Sequence, residues 1–183
     1  MPVRDVLLTF DDGPAEDTEA VLALLARHDV RATFFVLGER VVRNTDLVLK
    51  ASQEGHTIGN HSWDHPDDLR ALSPAEVRSQ LERTSDAIEQ ACGRRPTVFR
   101  PPHGFTNAAV DEIAASLGMR TVLWTVETAD YARPGVDAIT AAVAAASPGD
   151  IVLMHDGHAE GSDDRQQTVE ALAGALAANE NQA

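Results

Sequence analysis

Strand-like and helix-like segments alternate along the whole chain, and that alternation restricts the fold more than any other property of the sequence. Val6, Leu7, Leu8 and Phe10 form a short apolar run that closes in Asp11-Asp12-Gly13-Pro14, the pattern of a buried strand ended by a turn. Residues 18–28 carry Val21, Leu22, Leu24 and Leu25 at helical spacing, and residues 30–36 read as a second strand. Residues 44–54 read as a helix ended by Gly55, and residues 56–60 as a third strand. Ser73-Pro74-Ala75-Glu76 is a capping box with proline at the first helical position. The helix behind it keeps Val77, Leu81 and Ile88 on one stripe and stops at Gly93. A fourth strand at 97–99, a helix at 107–117, a fifth strand at 120–126, a helix at 136–146, a sixth strand at 150–154 and a helix at 165–178 complete the series. A parallel sheet with helices outside satisfies this order, either as an open doubly wound sheet or as a barrel. Ile151, Val152 and Leu153 are contiguous and apolar, as a strand covered on both faces requires. Residues 2–178 read as one α/β domain and residues 179–183 as a polar tail.

The polar residues gather at one edge of that expected sheet. Asp11 and Asp12 follow the first strand, His61 and His65 the third, Arg100 the fourth, Asp130 the fifth, and His155 and Asp156 the sixth. Parallel α/β sheets and barrels build their sites at the C-terminal strand ends. Titratable groups at five such ends would converge there. Asp11 and Asp12 point in different directions from adjacent positions, so one can hold a metal while the other handles a proton.

His61-Ser62-Trp63-Asp64-His65 spaces two imidazoles so that they can grip one ion. Pro66 disfavours helix at His65, which puts the pair on a tight turn. With an upstream aspartate the set becomes two histidines and a carboxylate. Zinc is the expected divalent ion, and cobalt, nickel or manganese also suit such donors. His28 ends a helix and His56 starts a strand, where structural roles suffice; His158 sits in a polar loop and is expected to be solvated. His103 and His155 remain as site candidates.

Charge and composition exclude other classes. The chain has 183 residues and a net charge of −14. That charge argues against nucleic acid or an anionic membrane as partner, since both favour clustered Lys and Arg. Cys92 is the only cysteine, so no intrachain disulfide or cysteine metal cluster forms, and it is expected to pack in a helix. No apolar run reaches membrane-spanning length. Arg4 and Asp5 lead straight into the first strand without a secretory signal. The expectation is a cytoplasmic chain as written, or a secreted one whose leader has been removed. Nothing in the residues speaks to oligomeric state.

Four segments in this order carry a resemblance: Thr9-Phe10-Asp11-Asp12-Gly13-Pro14, His61-Ser62-x-x-His65, Arg100-Pro101-Pro102-x-Gly104 and Leu153-Met154-His155. The chain resembles the polysaccharide deacetylase family, the NodB-homology group of carbohydrate esterase family 4, over essentially its whole length. The resemblance implies a distorted (β/α) barrel and metal-dependent removal of acetyl groups from amino sugars or xylan. It further implies that Asp12, His61 and His65 bind the metal and that Asp11 is the general base. Arg100 would hold Asp11, and the backbone N–H of His103 would help stabilise the oxyanion. His155 would be the general acid, paired with Asp130. Leu153 would line the acetyl-methyl pocket.

The sequence departs from the common family pattern around the substrate. His103 stands where Tyr or Phe is usual, Tyr131 where Trp is frequent, and Glu127 where Asp is frequent. Tyr131 can still stack on a sugar, over a smaller area than Trp. These changes affect substrate choice and leave the expected metal ligands intact. The expected substrate is an acetylated carbohydrate, with short N-acetylglucosamine oligomers foremost and acetylxylan or peptidoglycan as alternatives. A phosphatase reading fails because its aspartates stand two apart, whereas Asp11 and Asp12 are adjacent. A catalytically silent carbohydrate-binding member would be expected to lack Asp11 or His155.

Overall fold

The computed structural model describes residues 6–158 and 164–180. Seven strands, Leu7–Asp11 (β1), Thr33–Val36 (β2), Thr57–Asn60 (β3), Val98–Phe99 (β4), Arg120–Thr121 (β5), Val126–Glu127 (β6) and Ile151–His155 (β7), pair in the order β5-β4-β3-β2-β1-β7-β6. Every pairing is parallel. The helices are Thr18–Arg27 (α1), Gly38–Arg43 (α2), Thr45–Gln53 (α3), Pro74–Cys92 (α4), Ala108–Ser116 (α5), Val136–Ala145 (α6) and Gln166–Glu180 (α7). The result is the distorted (β/α) barrel that the resemblance implies, one of the two arrangements the alternation allows.

Adjacent strand residues face opposite sides, and the core divides accordingly. Phe10 and Phe34 stack with ring centroids 5.2 Å apart and join Val21, Leu22, Val152 and Leu172 in the main core. Phe35 faces the other way and packs with Val98 and Val122. A third cluster joins Leu81, Phe99, Val110 and Met119 under α4 and α5. The capping box forms as expected: Ser73 N donates to Glu76 Oε2 at 2.8 Å, and Ser73 Oγ accepts from Glu76 N. Gly93 then ends α4 with φ 74°, a left-handed conformation that costs glycine little. Cys92 is half-buried, and its Sγ lies 3.2 Å from the Ile88 carbonyl. Buried His56 accepts a hydrogen bond from Ala32 N through Nδ1, and burial lowers its imidazole to about 4. No helix among the described residues is long and apolar enough to cross a membrane.

Two expectations need correction, and one element was not expected. The stretch 120–126 is not one strand. Arg120–Thr121 pairs with β4 at one end of the sheet, and Val126–Glu127 pairs with β7 at the other. Residues 122–125 form a strap across the opening, pinned by Val122 N to Phe99 O at 2.8 Å and Thr125 N to Ile151 O at 3.0 Å. Leu123 on the strap is 42% exposed, which a buried strand would not allow. Next, α2 is a helix at residues 38–43 to which the sequence reading assigned no element. Leu37 N donates to Gly13 O, which places that helix beside the first site loop. Finally, α7 runs on to Glu180, so Asn179 and Glu180 are helical, while residues 181–183 of the expected tail lie outside the described residues.

Candidate active site

β1 delivers Asp11 and Asp12 to the C-terminal edge of the sheet. Asp12 has φ 72°, so the chain turns sharply, and both carboxylates approach His61 Nε2, Asp11 Oδ2 at 3.8 Å and Asp12 Oδ1 at 3.4 Å. Gly13 follows because the turn closes on the buried carboxylate of Asp156. A Cβ on Gly13 would lie 2.2 Å from Asp156 Oδ2. That oxygen accepts from Thr18 Oγ1 at 2.6 Å, and Asp156 N donates to Asp11 O at 3.2 Å. Burial pushes the Asp156 carboxyl up to about 7.

Asp11 is fixed from below. Arg100, which is fully buried, donates through Nη1 to Asp11 Oδ1 and to Thr9 Oγ1, both at 2.8 Å. Its Nε reaches Val122 O at 3.1 Å and its Nη2 reaches Leu123 O at 3.2 Å. One guanidinium therefore joins β1, β4 and the strap, with its plane 4.2 Å over the Phe35 ring.

β3 and the turn after it bring in the two histidines. Ser62 and His65 both take left-handed backbone conformations, which folds the pair into the expected tight turn. His61 Nδ1 lies 2.7 Å from the Arg100 carbonyl. A carbonyl only accepts, so Nδ1 carries the hydrogen, and in the neutral ring Nε2 keeps its lone pair. Nε2 of His61 and Nε2 of His65 lie 3.4 and 3.5 Å from Asp12 Oδ1. These separations are long for charge-assisted hydrogen bonds of about 2.7–2.9 Å. They match the ~3.4 Å edge of a tetrahedron whose bonds to nitrogen and oxygen are ~2.1 Å. All three donor atoms lie within 4.8 Å of one another, so Asp12, His61 and His65 fit one divalent metal ion. Burial opposes charge on Asp12, but His61 outweighs it and holds the carboxyl well below the usual range. Burial likewise opposes charge on His61, which Asp11 and Asp12 overcome, raising that imidazole. At His65 burial, aided by His61, lowers the ring to about 4.

The opposite wall carries a different pair. His155 is the last residue of β7 and lies level with Asp11 in the ladder. Asp130, 2% exposed, accepts from His155 Nδ1 at 2.7 Å on one oxygen and from His155 N at 2.8 Å on the other. Burial opposes the imidazolium, but the hydrogen bond and charge of Asp130 outweigh it and raise His155 to about 9. Tyr131 sets its ring edge-on to His155 at 5.6 Å and donates its hydroxyl to Glu127 Oε1 at 3.0 Å.

These residues meet around one cavity of about 480 Å³. Asp11, Asp12, His61, His65, His103, Tyr131, Leu153 and His155 line it, while Arg100 and Asp130 stand behind the wall. His103, at φ 56°, packs edge-on against His65 with ring centroids 4.7 Å apart. Trp124, Glu127 and Arg165 also line the cavity; of the three, the sequence pointed only to Glu127, as a departure from the family pattern near the substrate. Trp124 was hidden because 120–126 read as a strand. Arg165 read only as the start of the last helix, whereas it is 6% exposed and donates through Nε to Gly157 O at 2.5 Å.

The model of the family described as polysaccharide deacetylase matches residues 1–122, which include both site aspartates, both paired histidines and Arg100. The chain belongs to the polysaccharide deacetylase family. A chitooligosaccharide deacetylase of a Bradyrhizobium species is 43% identical over 179 residues, covering 92% of this chain and 81% of that one. A peptidoglycan-N-acetylglucosamine deacetylase of Listeria monocytogenes is 44% identical over 157 residues, covering 85% of this chain. The chain spans only about a third (33%) of that relative's length. Among solved structures, a family 4 carbohydrate esterase from Streptomyces lividans in complex with acetate superposes with a TM-score of 0.88 at 34% identity, covering 97% of this chain and 88% of that one. In this polysaccharide deacetylase the 1–122 match stops at the strap, and the wall with Asp130 and His155 lies beyond it.

Proposed function

We propose that this chain is a metal-dependent N-deacetylase of N-acetylglucosamine-containing oligo- or polysaccharides. One observation carries the reading: an arginine-held carboxylate and an aspartate-held imidazole stand on neighbouring strands, level with each other, beside a two-histidine, one-carboxylate donor set. Amide hydrolysis needs those three things together: an acceptor for the proton of water, stabilisation of charge on oxygen, and a proton for the departing amine.

Asp12, His61 and His65 would hold the metal, with zinc the proposed ion and cobalt, nickel or manganese suited to the same donors. When bound, a divalent ion supplies Lewis acidity at the reacting carbonyl and an acidified water. Asp11, oriented by Arg100, takes the proton from the attacking water. As the new carbon–oxygen bond forms, the backbone N–H of His103 faces the developing negative oxygen. His155 then gives its proton to the nitrogen as the carbon–nitrogen bond breaks, leaving acetate and a free amine. Asp130 keeps the imidazole supplied with charge and aligned. Leu153 packs against the acetyl methyl, and Tyr131 offers a face for the sugar ring.

The relatives named for chitooligosaccharide and for peptidoglycan N-acetylglucosamine support an N-acetylglucosamine substrate. The net charge of −14 favours neutral oligomers over anionic wall polymers at low salt. Acetate release from chitotetraose, acetylated xylan and purified peptidoglycan, each with added zinc and with a chelator, tests the proposal. Chelator-sensitive release from chitotetraose is expected. Release from xylan alone would replace the reading with an esterase.

A further inference from the structure

The buried carboxylate of Asp130 has a third donor, and it comes from a helix that otherwise stands outside the site. Thr168 Oγ1 donates to Asp130 Oδ2 at 2.7 Å, on the same oxygen that accepts from His155 N. Thr168 is 1% exposed and lies in the first turn of α7. A threonine in a helix ordinarily turns its hydroxyl back onto its own helix, and it is a poorer helix former than alanine. Here the hydroxyl reaches across to another element.

The rest of that helical turn is tied down in the same region. Arg165 N donates to Asp17 Oδ2 at 2.6 Å, and Arg165 Nε reaches Gly157 O, two residues beyond His155. Gln167 Oε1 accepts from Gly135 N at 2.9 Å, which anchors the segment leaving Asp130. The start of α7 therefore grips the chain on both sides of the Asp130–His155 pair: after His155 at Gly157, and after Asp130 at Gly135. The Asp130 backbone itself sits in a short 3₁₀ turn bounded by Ala129 and Arg133, both in left-handed conformations. That turn does not by itself set the torsion of the carboxylate. The His155 N–H, held in the β7 ladder, and the Thr168 hydroxyl together fix Oδ2 from two directions; without Thr168 a single donor remains on that oxygen, and the carboxylate can rotate about it.

We propose that Thr168 is a positioning residue for His155: its hydroxyl fixes the plane of the Asp130 carboxylate, which in turn fixes the imidazole at the cavity wall. The inference rests on the reading of His155 as the general acid. Losing the outer partner of a metal-bound histidine lowers metal affinity or activity roughly ten- to hundredfold, and a similar loss is expected where the supported imidazole acts as an acid.

The test compares Thr168→Val, which keeps the shape and removes the hydroxyl, with Thr168→Ser, which keeps the hydroxyl. Turnover is measured on chitotetraose and on an aryl acetate, whose leaving group needs no proton. Exchange of the His155 Nδ1–H with solvent is followed in parallel by NMR on protein labelled at histidine nitrogen. In Thr168→Val the amide reaction should fall at least about tenfold while the aryl acetate reaction falls much less, and Nδ1–H exchange should accelerate. Thr168→Ser should restore both. Equal losses on the two substrates with unchanged exchange would overturn the proposal and leave Thr168 a packing residue. If wild-type protein releases no acetate, the deacetylase reading fails, yet the exchange comparison still decides whether Thr168 holds the imidazole. Should Thr168→Val not fold, Thr168→Cys, a weaker donor of similar size, replaces it; exchange no faster than wild type would then count against the proposal.

Discussion

Arg100 Nη1 donates to Asp11 Oδ1 at 2.8 Å, with the arginine fully buried and the aspartate nearly so. The same guanidinium holds the Val122 and Leu123 carbonyls of the strap. The residue that orients the proposed base thus also closes the barrel opening, so the two cannot be altered separately.

Arg100→Lys tests that coupling. A lysine presents one nitrogen in place of a planar fork and cannot reach all four acceptors. Breaking a buried pair costs roughly 3–5 kcal/mol. Both acetate release and the melting temperature should drop. A variant with wild-type melting and lost activity would show that the strap does not depend on Arg100.

Asp11→Asn should retain metal and lose turnover by roughly 10²–10⁴-fold, because an amide cannot accept the proton of water. Asp12→Asn and His61→Ala should instead lose metal. Elemental analysis of the purified variants, alongside acetate release, separates the roles. Metal lost from Asp11→Asn but kept by Asp12→Asn would exchange them.

As the proposed acid, His155 should set a pH limit. Its imidazole is raised to about 9, so the proton-donating form prevails below that value and disappears above it. Turnover of an N-acetyl substrate should therefore fall as pH rises through about 9, while cleavage of an aryl acetate should not share that limb. The same shift stabilises the fold fully below the ordinary histidine value of 6.5, and that stabilisation is lost as pH rises through about 9. An identical alkaline limb on both substrates would argue that His155 orients the site without donating.

Gly13→Ala should destabilise the protein with no change in charge. The added methyl meets the Asp156 carboxylate at 2.2 Å, and Asp156 is locked by Thr18. Overpacking of this kind costs about 1–3 kcal/mol, which for a chain of this size lowers the melting temperature by a few degrees per kcal/mol. An unchanged melting curve would mean that the turn can move aside.

That Asp11, Asp12, His61, His65 and His155 meet at one cavity was legible in the sequence because each sits at a strand end marked by an apolar run and a turn. Asp11-Asp12-Gly13 and His61-x-x-x-His65 are local patterns, and local patterns survive without coordinates. The split of 120–126 was not legible. Six apolar or β-branched residues among those seven positions read as one strand, and only the pairing partners, β4 on one side and β7 on the other, reveal two. Thr168 was invisible for a related reason: its partner Asp130 is distant in sequence, and nothing near Thr168 marks it as other than an ordinary helix residue. The α2 helix was missed because Gly38 opens it, and glycine discourages a helix assignment.

The neighbour of β1 on one side is β7, with Leu8 level with Val152 and Asp11 level with His155. During synthesis the ribosome releases the first strand long before the last. Until β7 emerges, β1 presents a bare hydrogen-bonding edge lined by Leu8 and Phe10, a template for pairing with other chains. Closing that gap is among the most sequence-distant steps available to the molecule, and such steps are slow. The proposed base and acid therefore come together late in the birth of each molecule: Asp11, Asp12, His61 and His65 are all made before His155 can take its place beside them.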